Sequence, residues 1–277
     1  MTTATAPQRA ARETPPPRGL HEETYAGLAD ALGPLIRLRV APPDPQALSA
    51  DRLVRDPAAR ERIRALAGAR MRDAGGREPR PDVAAMDALH LYAFHAAVAM
   101  GGPWFLERRV PLFEPDGIGC DPAAATLSVL PSALLCLPDD PAAGRPGVRV
   151  VEDEERLAGA LREAVARHLA PVLEAFRPLL RRGPRAVWGL ATDELAESVW
   201  YVGRATGDES RAARAADALL PGDTPPYVGA AGFRPCGGAG TAMEAGPEHT
   251  RTRVNCCLWY TVTPDRLCGT CPRRTDA

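Results

Sequence analysis

No lysine occurs anywhere in the 277 residues; all 34 basic residues are arginine. Its absence excludes Schiff-base catalysis, a phosphate-loop lysine and a lysine general base. No apolar run approaches the roughly 20 residues that cross a bilayer. The opening stretch "MTTATAPQRAARETPPPRGL" lacks the apolar core of a secretory signal, so a cytoplasmic location is expected. A formal net charge of −1 gives no global attraction to nucleic acid or to an anionic membrane. A dinucleotide fingerprint is missing too. "CGGAGTAMEAG" offers Gly238 and Gly240 but lacks the third glycine at the fingerprint's spacing and has no strand-to-helix setting. Neither a nicotinamide nor ATP has a recognisable site, and flavin is not expected.

What is present reads as an ordinary globular chain, 45% hydrophobic and 25% charged. Residues 1–20 are rich in proline, threonine and alanine and read as a disordered tail. A short helix is expected over 21–32, ending before Gly33 and Pro34. "ARERIRALAGARMRD" (59–73) is amphipathic. The next helix starts at Asp82 as a cap, is apolar nearly all round, and stops at Gly101-Gly102. From 104 to 151 the pattern changes to short apolar pieces between turns. "TLSVLPSALLCL" and "VRVVE" read as strands limited by prolines. Helices return over 152–183, with Pro171 expected to kink or break the first of them near Leu169. Two more follow over 185–204 and 208–220. Residues 221–246, rich in glycine and proline, read as a linker or large loop. The expected architecture is α+β: mostly helical, with a small antiparallel sheet and a C-terminal cysteine-rich module. Its parts are the tail (1–20), a mainly helical body (21–225) and the module (226–277).

Four of the seven cysteines stand in "RVNCCLWYTVTPDRLCGTCP", as Cys256, Cys257, Cys268 and Cys271. In a reducing compartment they read as thiols or metal ligands rather than disulfides. A C-x-x-C turn can aim two sulfurs at one metal. Adjacent residues of an extended strand point to opposite faces, so Cys256 and Cys257 need a bent backbone to serve one site. Four thiolates suit Zn²⁺ or an iron–sulfur cluster. A C-C pair is a poor knuckle for one tetrahedral ion, whereas a two-iron cluster offers two separated metals, and the spacing favours [2Fe-2S].

This cysteine pattern at the C-terminal end, followed by proline and arginines, resembles the ferric-siderophore reductases of the FhuF type. "HLAPVLEAFRPLLRRGPRAVWGLATDELAE" is similar to that family's helical stretch around a Trp-Gly pair, here Trp188-Gly189, with Leu190 where the family often has Asn. The resemblance covers roughly residues 160–277. It implies that Cys256, Cys257, Cys268 and Cys271 hold a [2Fe-2S] cluster. It also implies a protein that passes one electron to siderophore-bound Fe³⁺ and releases Fe²⁺. With no nucleotide site of its own, the chain would take electrons from a partner such as a ferredoxin or flavodoxin. Two other readings stand beside this one: a zinc-stabilised binding protein, and an iron–sulfur sensor or accessory protein of siderophore biosynthesis. Near-neutral charge argues against the nucleic-acid binding that a sensor would need.

Around the module, Arg234, Arg251, Arg253, Arg266, Arg273 and Arg274 outnumber Glu244, Glu248, Asp265 and Asp276. Arg251 and Arg253 are therefore candidates for docking an anionic substrate or an acidic partner. Trp259 and Tyr260 are expected to pack around the cluster. Cys236 reads as a free loop thiol or spare ligand, and Cys120 and Cys136 as inert. His90 and His95 lie five apart, about 140° around a helix, which excludes an i,i+4 metal pair. His168 and His249 stand alone.

Overall fold

The computed structural model describes residues 18–33, 35–236 and 247–274. The expected tail falls outside them as far as residue 17, and Arg18, Gly19 and Leu20 already belong to helix α1 (Arg18–Leu32). Gly238 and Gly240 also lie outside the described residues.

Helix α4 (Pro81–Glu107) runs through the centre. Proline at its first position leaves no N–H to satisfy. Asp82 does not cap it; its carboxylate pairs with Arg80 at 3.0 Å. The expected stop at Gly101-Gly102 does not occur, because those glycines serve packing rather than termination. A Cβ at Gly101 would lie 3.1 Å from Ser198 Oγ, and one at Gly102 would lie 2.7 Å from Leu28. Both neighbouring helices can thus approach the α4 backbone. The helix ends at Arg108, which takes a left-handed conformation with φ 53°. By length and composition α4 could cross a membrane, yet 83% of its most apolar window is buried within the protein.

Around α4 pack α1, α3 (Pro57–Gly75), α5 (Glu154–Phe176) and α6 (Pro184–Ala205). The short α2 (Ala50–Arg55) is capped by Ser49, and α3 by Asp56. α5 continues through Pro171 without the break that is one of the two expected outcomes. That proline is exposed, so the carbonyl one turn earlier that loses its N–H partner faces water on the same side. α7 (Glu209–Leu219) packs along α6. At their crossing a Cβ on Gly203 would fall 2.1 Å from the Ala212 Cβ. Glycine to alanine inside a helix usually gains about 1 kcal/mol, but here the overlap reverses the sign. Gly203→Ala is expected to lower stability by about 1–3 kcal/mol. Urea denaturation followed by circular dichroism will show this as a lower midpoint.

The helical α+β architecture is as expected, but its strand part differs. One sheet orders β1 (Arg37–Val40), β4 (Thr126–Val129) and β3 (Ile118–Asp121), with β1 parallel and β3 antiparallel to β4. A second orders β2 (Val110–Leu112), β5 (Ala133–Cys136) and β6 (Val148–Val150), with β6 parallel to β5. Both are mixed rather than antiparallel, because β1 and β6 reach their partners through long crossovers instead of hairpins. A two-residue antiparallel ladder joins β7 (Arg234–Pro235) to β8 (His249–Thr250). Cys120 and Cys136 are buried in the sheets, and burial pushes the Cys120 thiol up to about 12.

Of the expected loop over 221–246, residues 221–236 are pinned rather than loose, and 237–246 lie outside the described residues. Tyr227 donates its hydroxyl to the Arg162 carbonyl at 2.7 Å, and Val228 N–H bonds Thr192 Oγ1 at 3.0 Å. Tyr227 and Ala231 join the main core, so its packing reaches past residue 225.

Candidate metal centre

Among the described residues beyond β8 there is almost no regular structure: a single 3₁₀ turn, Trp259–Thr261. Its shape comes from a few internal bonds and from the helices beneath. Cys271 N–H bonds the Cys268 carbonyl at 3.1 Å, closing the C-x-x-C turn. Arg253 N–H bonds the Thr270 carbonyl at 2.9 Å and lays the two cysteine arms side by side. The bend that the adjacent cysteines require is present on both flanks. Val254 and Asn255 form a bend, and Leu258 is left-handed with φ 65°. For a leucine that conformation costs roughly 1–2 kcal/mol, offset by burial of its side chain with Met71, Val83 and Val262.

Cys257 and Cys268 lie within hydrogen-bonding reach of each other. The Cys268 thiol, the Trp259 N–H and the positive charges of Arg253 and His90 together hold Cys257 down to about 6 despite burial. Donation to that sulfur drives Cys268 the other way. Cys271 is buried and close enough to Cys268 for the two sulfurs to interact electrostatically. Cys256 packs on the apolar side, against the cluster of Met71, Val83, Leu258 and Val262. Among the described residues no three His, Cys, Asp or Glu side chains gather around one point suited to a single ion.

What fixes the arms is an ionic network rooted in α6, which carries Asp193, Glu194 and Glu197. Asp193 Oδ1 accepts from Arg251 Nη2 at 2.7 Å and from Val254 N–H at 2.8 Å, while Oδ2 accepts from Asn255 N–H at 2.8 Å. Glu197 takes Arg253 Nε at 2.7 Å and Thr270 Oγ1 at 3.2 Å. One carboxylate therefore touches both cysteine arms. Glu194 Oε1 accepts from Arg253 at 3.0 Å and lies 2.5 Å from His90 Nδ1. Burial pushes Asp193 up to about 6 against the pull of Arg251 and Arg253; the paired Glu197 lies below the usual carboxylate range despite its burial, held there by Arg253 and Arg251.

Arg251 and Arg253 are consequently not docking residues. They are 0% and 7% exposed, with their guanidiniums turned onto α6. Sequence gives their charge but not their burial. Trp188 stacks edge-on to Tyr227 at 6.0 Å. Gly189 has the clearer role, since a Cβ there would stand 3.0 Å from Val254. The glycine lets the cysteine segment lie against α6, and Leu190 beside it is buried. Trp259 packs beside the cysteines, its Nε1–H donating to Asp87 at 2.6 Å with Arg70 over its ring. His95 bonds the Leu91 carbonyl, and His168 meets Tyr92 in the core. His249 lies in β8, and Cys236 is a half-buried loop thiol.

Sequence reasoning missed Asp193, Glu194, Glu197 and His90. The signal was there in "ATDELAESVW": three acids on an otherwise apolar helix, which burial permits only with cations to meet them.

A cavity of about 880 Å³, lined by His21, Pro42, Asp51, Asp56 and Asp116 among others, lies elsewhere. It adjoins the start of α3 at Asp56. The cysteine segment abuts the end of α3, where a Cβ on Gly75 would be 2.4 Å from the Val262 carbonyl oxygen. Nineteen helical residues separate the two by roughly 28 Å. A ligand there would not touch the cysteines. A second cavity, beside Arg39, Arg62 and Asp121, also lies towards that start.

The donor set suits an iron–sulfur centre: four thiols on two arms, one already acidic, with cations and a backbone N–H directed at its sulfur. Residues 253–273 match the family model of the FhuF 2Fe-2S C-terminal domain. No curated protein matches the chain. The cofactor of this segment is a [2Fe-2S] cluster, and the match connects the chain with siderophore iron.

Proposed function

We propose that this chain, which carries a [2Fe-2S] domain of the FhuF type, is a cytoplasmic ferric-siderophore reductase. The observation that carries the reading is the paired cysteine arms, laid side by side by the Arg253–Thr270 bond, in the segment that matches that domain. Cys256, Cys257, Cys268 and Cys271 are the ligands of the cluster. Once bound, it stores and passes on one electron at a time.

The protein's own groups do the rest. Arg253 and His90 offset negative charge at Cys257, and the Trp259 N–H donates to its sulfur; both raise the ease of reduction. Asp193 and Glu197 hold the arms in place. On the substrate side, siderophore oxygens are hard anionic donors that grip Fe³⁺ far better than Fe²⁺. One electron therefore loosens the complex. Electrons enter from an external ferredoxin or flavodoxin.

The test uses protein reduced beforehand with dithionite and freed of excess reductant. Mixed with a ferric hydroxamate and a ferrous chelator, it is expected to regain its oxidised spectrum and yield one Fe²⁺ per chain. Each ~59 mV in a one-electron gap shifts the equilibrium tenfold, so trapping Fe²⁺ draws the reaction forward. No Fe²⁺ from hydroxamate, catecholate or carboxylate siderophores would overturn the assignment.

A further inference from the structure

With Arg251 and Arg253 turned inward, any positive charge offered to a partner has to come from other residues. The surface over the cysteines supplies it. Cys268 is half-buried and Gly269 exposed, so the C-x-x-C turn reaches the surface. Arg266 stands two residues before that turn and Arg273 two residues after it. Both are exposed, and neither has a carboxylate partner among the described residues. Arg273 lies flat over Tyr260, 3.9 Å from the ring centre, which holds its charge beside the turn. The loop between α3 and α4 adjoins through the Gly75–Val262 contact. It adds Arg77, exposed and also without a carboxylate partner among the described residues. Arg70 lies over the Trp259 ring at 5.4 Å, but its charge is met by Asp87 at 2.6 Å.

Acids do not balance this. Glu78 is taken by Arg72 and Asp82 by Arg80; among the described residues Asp73 and Asp265 are the remaining exposed carboxylates of these stretches, two against the three arginines. The positive charge is thus local to the place where the sulfurs come closest to solvent, on a molecule whose formal net charge is −1. Neither cavity described above includes any of these residues. A broad, open face drawn from two separate stretches of chain suits a protein partner better than a small anion.

We infer that this face, centred on Arg77, Arg266 and Arg273, docks an acidic electron-donor protein of the ferredoxin class. The inference rests on the reductase reading and names its electron-entry surface. In the encounter one electron leaves the reduced donor, which is oxidised by one, and enters this protein; no bond forms or breaks. Charge steering sets the rate of association and the register of docking.

The experiment titrates oxidised protein with an oxidised plant-type [2Fe-2S] ferredoxin by calorimetry, then follows reduction by that ferredoxin in stopped flow. Wild-type affinity is expected to fall about tenfold between roughly 50 and 300 mM salt. Arg77→Glu, Arg266→Glu and Arg273→Glu are each expected to weaken binding about three- to tenfold and to flatten the salt dependence. Arg37→Glu, exposed on β1, should change neither. If a reversal costs the visible spectrum, the Arg→Gln variant at that position carries the test.

Unchanged affinity in all three reversals overturns the proposal, as does failure of wild-type protein to bind ferredoxin at low salt. Slower Fe²⁺ release from an anionic ferric siderophore, with ferredoxin affinity intact, would reassign the face to a small anion and overturn it too. Fe²⁺ release by dithionite-reduced protein needs no donor, so failure of this surface and failure of the reductase reading give different results.

Discussion

Serine at Cys257 is expected to leave the purified protein without visible colour, whereas wild type purified anaerobically is red-brown. Wild type should contain about two iron atoms and two labile sulfides per chain. The effect is large because Cys257 lies within reach of Cys268, with the positive charges of Arg253 and His90 favouring its ionised form. A serine hydroxyl keeps its proton near neutral pH and leaves that positive surrounding without its anion. Serine at Cys256, Cys268 or Cys271 should also lose or strongly weaken the cluster. Alanine at Cys120 or Cys136 should not, since both thiols are buried in the sheets of the body. Iron, sulfide and zinc analysis of the anaerobic protein checks the set. Stoichiometric zinc without iron would sink the ligand assignment.

Asp193→Ala carries the second large effect. It removes the acceptor for Arg251 and for two backbone N–H groups directly before the cysteine pair. Arg251 keeps the longer contact to Glu197 at 3.3 Å, its bond to the Ala231 carbonyl and its place over the Phe233 ring. A buried charge stripped of its main partner costs about 3–5 kcal/mol. The denaturation midpoint should fall accordingly, and the cluster should bleach faster under a chelator challenge. Asp193→Asn retains one oxygen and should fall between. Glu163→Gln, which breaks only the exposed pair with Arg167 at 3.4 Å, is the control and should change stability by less than about 0.5 kcal/mol. Equal midpoints and equal bleaching for Asp193→Ala and wild type would show that the network does not hold the arms.

The residues that could be read in advance are those whose spacing has one physical meaning. The cysteines of 256–271 admit few uses, and α6 and α7 follow from apolar periodicity and turn residues at their ends. β1 was illegible because "RLRV" alternates charge with small apolar burial and lies at a sheet edge. The extent of α4 was hidden because Gly101 and Gly102 look like a stop in one dimension and are a close approach in three. Arg251 and Arg253 failed for a related reason. A charge in a sequence looks solvated until its partners are known, and these partners lie some sixty positions upstream on α6.

The scarcity of regular structure in the cysteine segment bears on how the protein matures. Apart from a handful of bonds within itself, the segment takes its conformation from α3, α4 and α6, and its small apolar cluster is separate from the main core. The body can therefore fold as a cooperative unit first, and the last stretch settles onto a surface that already exists. Its amide protons should exchange through local openings while those of α4 wait for global unfolding. Metal loading is then expected to be a late, local event on a finished helical template, and loss of iron to leave that template standing for reloading.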